Sequence, residues 1–103
     1  MKYCSIYITA ADEEEAGKIG RALVEEKLAA CVNILPVKSV YRWGEGIEEE
    51  DEAVMFVKTR QELTDRVIDR VKELHSYDVP CIVSFNIDKG NSGYLDWIGE
   101  STS

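Results

Sequence analysis

Apolar and polar residues alternate along several stretches of this chain, which is the pattern of β-strands. The first such stretch covers residues 2–9 and the last covers residues 81–87. Two longer arms lie between them, from Leu28 to Thr59, and Gly44-Glu45-Gly46 is the predicted turn that joins the arms. An arm of about 13 residues is roughly 40 Å long, whereas an ordinary strand is about 17–20 Å long. The pattern therefore predicts a hairpin that projects beyond its sheet.

Two other stretches carry apolar residues at helical spacing. Ala16, Ile19 and Leu23 recur at i, i+3 and i+7. Asp12 and Glu15 precede them with the spacing of a capping box, in which each residue satisfies a backbone N–H at the start of a helix. We predict a helix from about residue 13 to about residue 27.

A second helix is predicted after Thr59 and Glu62, which have the same capping-box spacing. The apolar residues that follow at helical spacing are Leu63, Val67, Val71 and Leu74. We expect this helix to end near His75, ahead of Pro80. Pro36 cannot donate a hydrogen bond to a β-ladder, so a bulge or a change of partner is expected in the first hairpin arm.

The predicted order is β-α-β-β-α-β, followed by a short amphipathic helix at residues 94–98, in one domain spanning residues 1–103. Two helices that cover one face of an antiparallel sheet form the ferredoxin-like α+β arrangement. The other sheet face and the long hairpin then lack partners within the chain. We therefore expect other copies of the chain to supply those partners.

The charge balance limits the classes of partner. Twenty acidic residues against twelve Lys and Arg give a net charge of −8, which argues against nucleic acid and against an anionic membrane surface. No apolar run is long enough for a spanning helix, and the N-terminus lacks the apolar segment of a signal peptide. The three cysteines, Cys4, Cys31 and Cys81, are expected to be buried, reduced thiols of a cytosolic protein.

Five segments, in this order and spacing, are similar to the CutA divalent-cation-tolerance family. They are residues 28–33 (LAACVN), 39–44 (SVYRWG), Glu50 with residues 58–59 (KT), 75–80 (HSYDVP) and 94–98 (YLDWI). The resemblance implies a ferredoxin-like fold, a homotrimer built by strand pairing between subunits, and a cytoplasmic location. It also implies a link to tolerance of copper and other divalent metals without an established reaction, and an architecture related to PII-like signalling trimers.

His75, the only histidine, is the main candidate for a ligand or metal site. It is followed closely by Tyr77 and Asp78, and Asp78 is expected to orient the imidazole. The resemblance places this segment in a family pocket. The alternative is a helix-terminal side chain that bonds only to backbone, because one histidine supplies only one good nitrogen ligand.

Copper ligands proposed for the family fall at positions that differ in this sequence. A cysteine at the exit of the first strand corresponds to Ile8, and a histidine pair at the end of the second helix corresponds to Leu74 and His75. Cys81 stands where an acid is common in the family. Cys31 matches the family and is either a pocket residue or a small core residue.

The hairpin carries the remaining candidates. Glu50 matches a family position and is expected to reach Lys58 across the pocket. Lys58 either holds a small anion or only pairs with Glu50. The acidic run at residues 48–52 either collects hard cations or is a solvated face. The expected subunit-contact residues are Tyr41, Arg42, Trp43 and Trp97, of which Trp43 is also a candidate pocket wall.

Three functions remain open at this point. The first is a homotrimer that binds copper, another divalent cation or a small ligand in a cleft between subunits. The second is a PII-like signalling trimer, and the third is a structural or interaction module without a ligand. An enzyme is not expected, because the sequence has no nucleophile–base pair and no phosphate loop, and no cofactor is required.

Overall fold

Four antiparallel strands form one sheet, in the order β2-β3-β1-β4. The computed structural model describes residues 1–103. The strands are β1 (Tyr3–Ala10), β2 (Cys31–Trp43), β3 (Gly46–Arg60) and β4 (Ile82–Ile87). The helices are α1 (Glu13–Glu25), α2 (Thr64–Leu74) and α3 (Ser92–Ser101), with a 3₁₀ turn at Gln61–Leu63. The prediction of a ferredoxin-like α+β fold with a short C-terminal helix is confirmed.

The core lies between one face of the sheet and the helices α1 and α2. Every second residue of β1 points into it, and Ile6 and Ile8 have no exposed surface. Met55 of β3, Leu23 of α1 and Val67 of α2 close the same cluster. Full burial of each such aliphatic side chain stabilises the fold by roughly 1.5–3 kcal/mol. None of the helices is long and apolar enough to cross a lipid bilayer.

Helix α1 begins and ends by local hydrogen bonding. The Glu15 N–H donates to the Asp12 carboxylate over 2.8 Å, as the capping pattern predicts. At the other end Lys27 adopts a left-handed conformation with φ 60°, and the Leu28 N–H donates to the Leu23 carbonyl over 2.9 Å. This is a Schellman-type ending, which terminates the helix slightly earlier than predicted.

The predicted cap of the second helix is wrong. Thr59 is a buried residue of β3, paired with Cys4 of β1, and its hydroxyl donates to the Leu28 carbonyl over 2.7 Å. Its side chain is therefore unavailable to a helix, and Glu62 falls in the 3₁₀ turn before α2 begins at Thr64. The local sequence pattern was overridden by pairing in the sheet.

The expected interruption at Pro36 is also absent. The β2–β3 register is continuous over the whole of β2, and Pro36 lies opposite Ala53. β2 is an edge strand, where a residue without an N–H is tolerated. The predicted turn is confirmed, because Trp43 pairs with Gly46 and Gly44 has the positive φ of 61° that the first position of a tight hairpin favours.

The hairpin projects beyond the rest of the sheet, as predicted. β1 pairs with β3 only as far as Ala53, so residues 37–52 form a two-stranded extension that we call the ribbon. The chain is accordingly elongated, with extents of 45 × 25 × 21 Å. Val40, Trp43 and Ile47 on the ribbon are all more than 60% exposed, so the ribbon has no apolar cover within one chain.

The side of the sheet away from α1 and α2 is covered only at one end, and we call it the open face. Helix α3 packs there, with Ile98 buried and the Arg60 guanidinium donating to the Thr102 carbonyl over 2.7 Å. Val83 and Phe85 of β4 are 46% and 59% exposed on the same face. The open face therefore leaves apolar side chains in water.

The cysteines do not share one environment. Cys4 is buried in the core, Cys31 is partly buried and Cys81 is exposed. Cys31 is paired with Lys58 and therefore lies on the open face, and Cys81 lies just before β4. The expectation of three buried thiols is correct only for Cys4.

Candidate functional site

The imidazole of His75 is fully buried where the end of α2 meets β1. Its Nε2 donates to the Thr9 carbonyl over 2.8 Å, and its Nδ1 accepts from the Tyr77 backbone N–H over 3.0 Å. Because a backbone N–H can only donate, Nδ1 carries no proton and the ring is the neutral Nε2–H tautomer. Both nitrogens are engaged, so a metal ion could reach this ring only if one of these bonds were broken.

The carboxylate beside His75 belongs to Glu15, not to Asp78 as expected. Glu15 accepts from the Ala11 N–H over 3.0 Å and from the Ser76 N–H over 2.9 Å, and one of its oxygens lies 4.0 Å from His75 Nδ1. Asp78 is exposed. Burial alone would raise the pKa of Glu15, but the hydrogen bonds that its carboxylate accepts from the Ala11 and Ser76 N–H groups outweigh burial and lower that pKa.

This lowered pKa gives a pH-dependent prediction. The Glu15 carboxylate stabilises the fold above its ordinary pKa of 4.5, and this contribution is lost as the pH falls through the lower folded value. We expect the urea midpoint of the native protein to fall more steeply below about pH 4.5 than that of Glu15→Gln. Glu14→Gln, an exposed neighbour, is the control and should follow the native curve. Parallel curves for all three proteins would contradict the assignment.

Tyr77 connects the loop after α2 to the base of the ribbon. Its hydroxyl donates to the Glu52 carboxylate over 2.7 Å. Burial, followed by the bond to Glu52, raises the pKa of Tyr77 above its ordinary value. The phenol therefore stays protonated and remains a donor, which fixes the loop against β3.

Lys58 occupies a second location, where the open face meets α3. Its ammonium donates to the Asn33 side-chain oxygen over 2.5 Å and lies 5.9 Å from the centre of the Tyr94 ring. Cys31 is directly opposite Lys58 in the β2–β3 register. The expected contact with Glu50 does not form within one chain, because the two residues lie on the same extended strand roughly 25 Å apart.

Trp43 and Glu50 lie in a third location, on the ribbon. The rings of Tyr41 and Trp43 make an edge-to-face contact at 6.2 Å, and Trp43 is 71% exposed. Burial, with the nearby Glu50, raises the pKa of Tyr41. Arg42 is exposed beside them. Within one chain the predicted ligand residues therefore lie in three separate groups, at His75, at Lys58 and on the ribbon.

No group of three or more histidine, cysteine or acidic side chains lies close enough within this chain to hold a metal ion. Ile8, at one proposed copper-ligand position, is buried in the core, and Leu74, at another, is partly exposed and apolar. A metal site on these residues stays a prediction that needs further ligands.

Sequence reasoning missed four residues that make the polar contacts of these groups: Glu15, Asn33, Glu52 and Tyr94. Glu15 was recognised only as a helix cap. Tyr94 belongs to a segment that was recognised but was not connected to Lys58, since only the packing of α3 on the open face joins them.

The likeness to known proteins covers almost the whole chain. The sequence model of the family described as CutA1 divalent ion tolerance protein matches residues 4–101. The chain belongs to this family. The divalent-cation tolerance protein CutA of Archaeoglobus fulgidus is 51% identical over 96 residues, 93% of this chain and 94% of that protein. The protein of the same description from Thermus thermophilus is 48% identical over 98 residues, covering 94% and 95% of the two chains.

The solved structure of the Archaeoglobus CutA superimposes with a TM-score of 0.97 at 48% identity, covering 98% of this chain and 99% of that one. The family and these relatives are named for divalent-cation tolerance and not for a reaction, which agrees with the prediction that the chain is not an enzyme. The expected cytoplasmic location is wrong by this comparison. The Archaeoglobus structure is described as that of a periplasmic protein, and plant CutA relatives, of whose length this chain spans about half, are described as chloroplastic.

Proposed function

We propose that this CutA-family chain acts in divalent-cation tolerance as a homotrimer, with its ligand pocket formed between subunits. The observation that carries the proposal is the separation of the candidate ligand residues within one chain. His75 and Tyr77 lie beside the loop after α2, whereas Trp43 and Glu50 lie on the projecting ribbon. A ribbon that reaches across a neighbouring subunit would bring one chain's Trp43 and Glu50 to another chain's loop.

The exposed apolar surface supports assembly. The large hydrophobic side chains left in water on the ribbon and the open face include Leu35, Val40, Trp43, Ile47, Phe56, Val83 and Phe85. Large apolar side chains left in water in this number on a small chain usually mark an interaction site. Trp43 and Tyr41 are also residue types that are enriched in subunit interfaces. Trp97, 42% exposed on α3, is a further candidate contact.

The chemistry of the pocket sets which ligand it can take. A copper or other divalent cation would have to displace one hydrogen bond of His75 and to recruit further ligands, for which Glu52 and a second subunit's carboxylates are available. An imidazole with carboxylates suits both Zn²⁺ and Cu²⁺, so we expect Zn²⁺ to compete with Cu²⁺ at this site.

Calorimetric titration with Cu²⁺ and Zn²⁺ tests the metal part of the proposal. We expect saturable binding to the native protein and at least tenfold weaker binding to His75→Gln, whose amide can keep one donor and one acceptor. Asp88→Asn, a change at an exposed residue that follows the far end of β4, is the control for altered surface charge. Equal binding by all three proteins would remove His75 from the site.

A PII-like small-molecule function is favoured by one observation, the engagement of both His75 nitrogens. An organic ligand held by other residues of the pocket leaves both hydrogen bonds of His75 intact, whereas a metal ion on the ring would break one of them. Titration of common nucleotides in the same calorimetric series separates the two functions, because saturable nucleotide binding without metal supports signalling. Failure of metals and nucleotides alike would leave an interaction module as the better description.

A further inference from the structure

The ribbon is joined to the rest of its own chain by few polar contacts. Pairing of β3 with β1 ends at Ala53, so from Glu52 outward β3 pairs only with β2. One side-chain hydrogen bond connects the ribbon to the rest of the chain, from the Tyr77 hydroxyl to the Glu52 carboxylate over 2.7 Å. The ion pair of Lys38 with Asp51 lies within the ribbon itself. We call the Tyr77–Glu52 hydrogen bond the clasp.

The clasp lies where the ribbon leaves the sheet. A two-stranded ribbon is more strongly twisted than a wider sheet and is only marginally stable by itself. A hydrogen bond to Glu52, the ribbon residue next to the sheet, therefore restricts the direction in which the ribbon projects. Because Tyr77 and Glu52 belong to the same chain and are already partly buried in it, the clasp does not require a surface that stays exposed between subunits.

The other end of the clasp is positioned by His75. The Tyr77 backbone N–H donates to His75 Nδ1 over 3.0 Å, and the two rings lie 4.8 Å apart at an interplanar angle of 46°. His75 itself donates to the Thr9 carbonyl, and the neighbouring Ser76 N–H donates to the Glu15 carboxylate. A continuous series of contacts therefore runs from β1 and α1 through His75 and Tyr77 to the ribbon.

The hydrogen bond between Tyr77 and His75 is the one that a cation on the ring would replace. Nε2 carries the proton of the ring and donates it to the Thr9 carbonyl, so the available lone pair is on Nδ1. A divalent cation binds through that lone pair, and the Tyr77 N–H would then lose its acceptor. A ligand that contacts other groups of the pocket leaves this bond in place.

We propose that the clasp couples His75 to the ribbon, so that loss of the His75–Tyr77 hydrogen bond frees the base of the ribbon. The ligand part of this coupling rests on the function proposed above. The ribbon would be loosened when a cation occupies Nδ1 and would stay fixed when an organic ligand spares it. Because the ribbon reaches a neighbouring subunit in that proposal, the state of one pocket would be transmitted to the next.

Hydrogen–deuterium exchange of the assembled protein, followed by mass spectrometry, tests the clasp. Tyr77→Phe keeps the ring against His75 and removes the hydroxyl, so we expect exchange in the ribbon to become at least about fivefold faster while exchange in β1 is unchanged. Glu52→Gln keeps an acceptor for the phenol and should stay close to the native protein. Glu49→Ala removes an exposed ribbon carboxylate that has no hydrogen bond, and it is the control for altered charge.

A double-mutant cycle tests the coupling to His75 without any ligand. His75→Ala removes the Nδ1 acceptor, so it should accelerate ribbon exchange in the native background and add little in Tyr77→Phe, where the clasp is already absent. Equal ribbon exchange in the native protein and Tyr77→Phe would overturn the proposal, and so would additive effects of the two substitutions. Should His75→Ala not fold, the comparison of Tyr77→Phe with the native protein still decides for or against the clasp.

Zn²⁺ in the same measurement tests the ligand part. Saturating Zn²⁺ should accelerate ribbon exchange in the native protein and leave that of Tyr77→Phe unchanged. Zn²⁺ that binds without altering ribbon exchange would contradict the coupling and leave the metal function standing. Zn²⁺ that does not bind at all would contradict the metal function, and the double-mutant cycle would then decide the coupling by itself.

Discussion

Replacing Val83 by aspartate is expected to convert the assembled protein into single chains. Val83 lies on β4, on the open face opposite Tyr7, and 46% of its surface is in water in one chain. If that surface is buried between subunits, an unpaired carboxylate there would weaken each subunit contact by several kcal/mol. This cost exceeds the free energy by which a modest interface stabilises the assembly. Light scattering should then give a mass near 11.6 kDa instead of about three times that value.

The same substitution at Val24 is the matched control. Val24 is 42% exposed on α1, on the other side of the sheet from the open face. Val24→Asp adds an identical charge and removes an identical side chain, so its mass should equal that of the native protein. If Val83→Asp stays assembled, or if the native protein sediments as a folded single chain, the open face is not the subunit interface.

Truncating Ile6 to alanine is expected to cause a large loss of stability. Ile6 has no exposed surface, pairs with Val57 and Ser84 in the central strand, and belongs to the cluster beneath α1 and α2. Removing its side chain beyond Cβ leaves a cavity that neighbours on both sides cannot fill, at a cost of about 2–5 kcal/mol. Urea unfolding at fixed protein concentration measures this as a lower midpoint.

Ile6→Val is the graded control for that change. It removes one methyl group, so the loss should be about 0.5–1.5 kcal/mol. We expect the urea midpoint to be highest for the native protein, lower for Ile6→Val and lowest for Ile6→Ala, with the same dependence on urea concentration in all three. This order would confirm that the cavity causes the loss of stability. A midpoint for Ile6→Ala equal to that of the native protein would mean that the sheet–helix layer is not the stabilising core.

Strand and helix positions could be predicted from local patterns because most of those patterns have one structural solution. Apolar residues at Cys4, Ile6 and Ile8 alternate with the residues between them, which is typical of a strand with one face buried. β1 has this alternating burial. Local capping signals were less reliable. Asp12 and Glu15 act as predicted, whereas Thr59 has the same spacing but remains in β3, because its buried hydroxyl bonds to a carbonyl far away in the sequence.

The sequence allowed us to predict which residues belong to the candidate site, but not which groups they contact. The resemblance identified His75, Tyr77 and Lys58, yet their partners are Thr9, Glu52 and Asn33 from other elements. Sequence spacing carries no information on such contacts, since each joins segments that are brought together only by strand order and helix packing. The expected pairs His75–Asp78 and Glu50–Lys58 failed for this reason.

The sequence by itself determined the α+β order and the long hairpin with its turn at Gly44, because periodicity and turn chemistry act over a few residues. Membership of the CutA1 family followed from sequence similarity along almost the whole chain. Only the tertiary structure decided which polar groups meet. It buried His75 as a neutral ring with both nitrogens bonded, and it left Lys58 without a carboxylate beside two aromatic rings. The physical reason is that hydrogen bonds and charge pairs depend on distances of a few ångströms, and these distances are set when distant segments pack together.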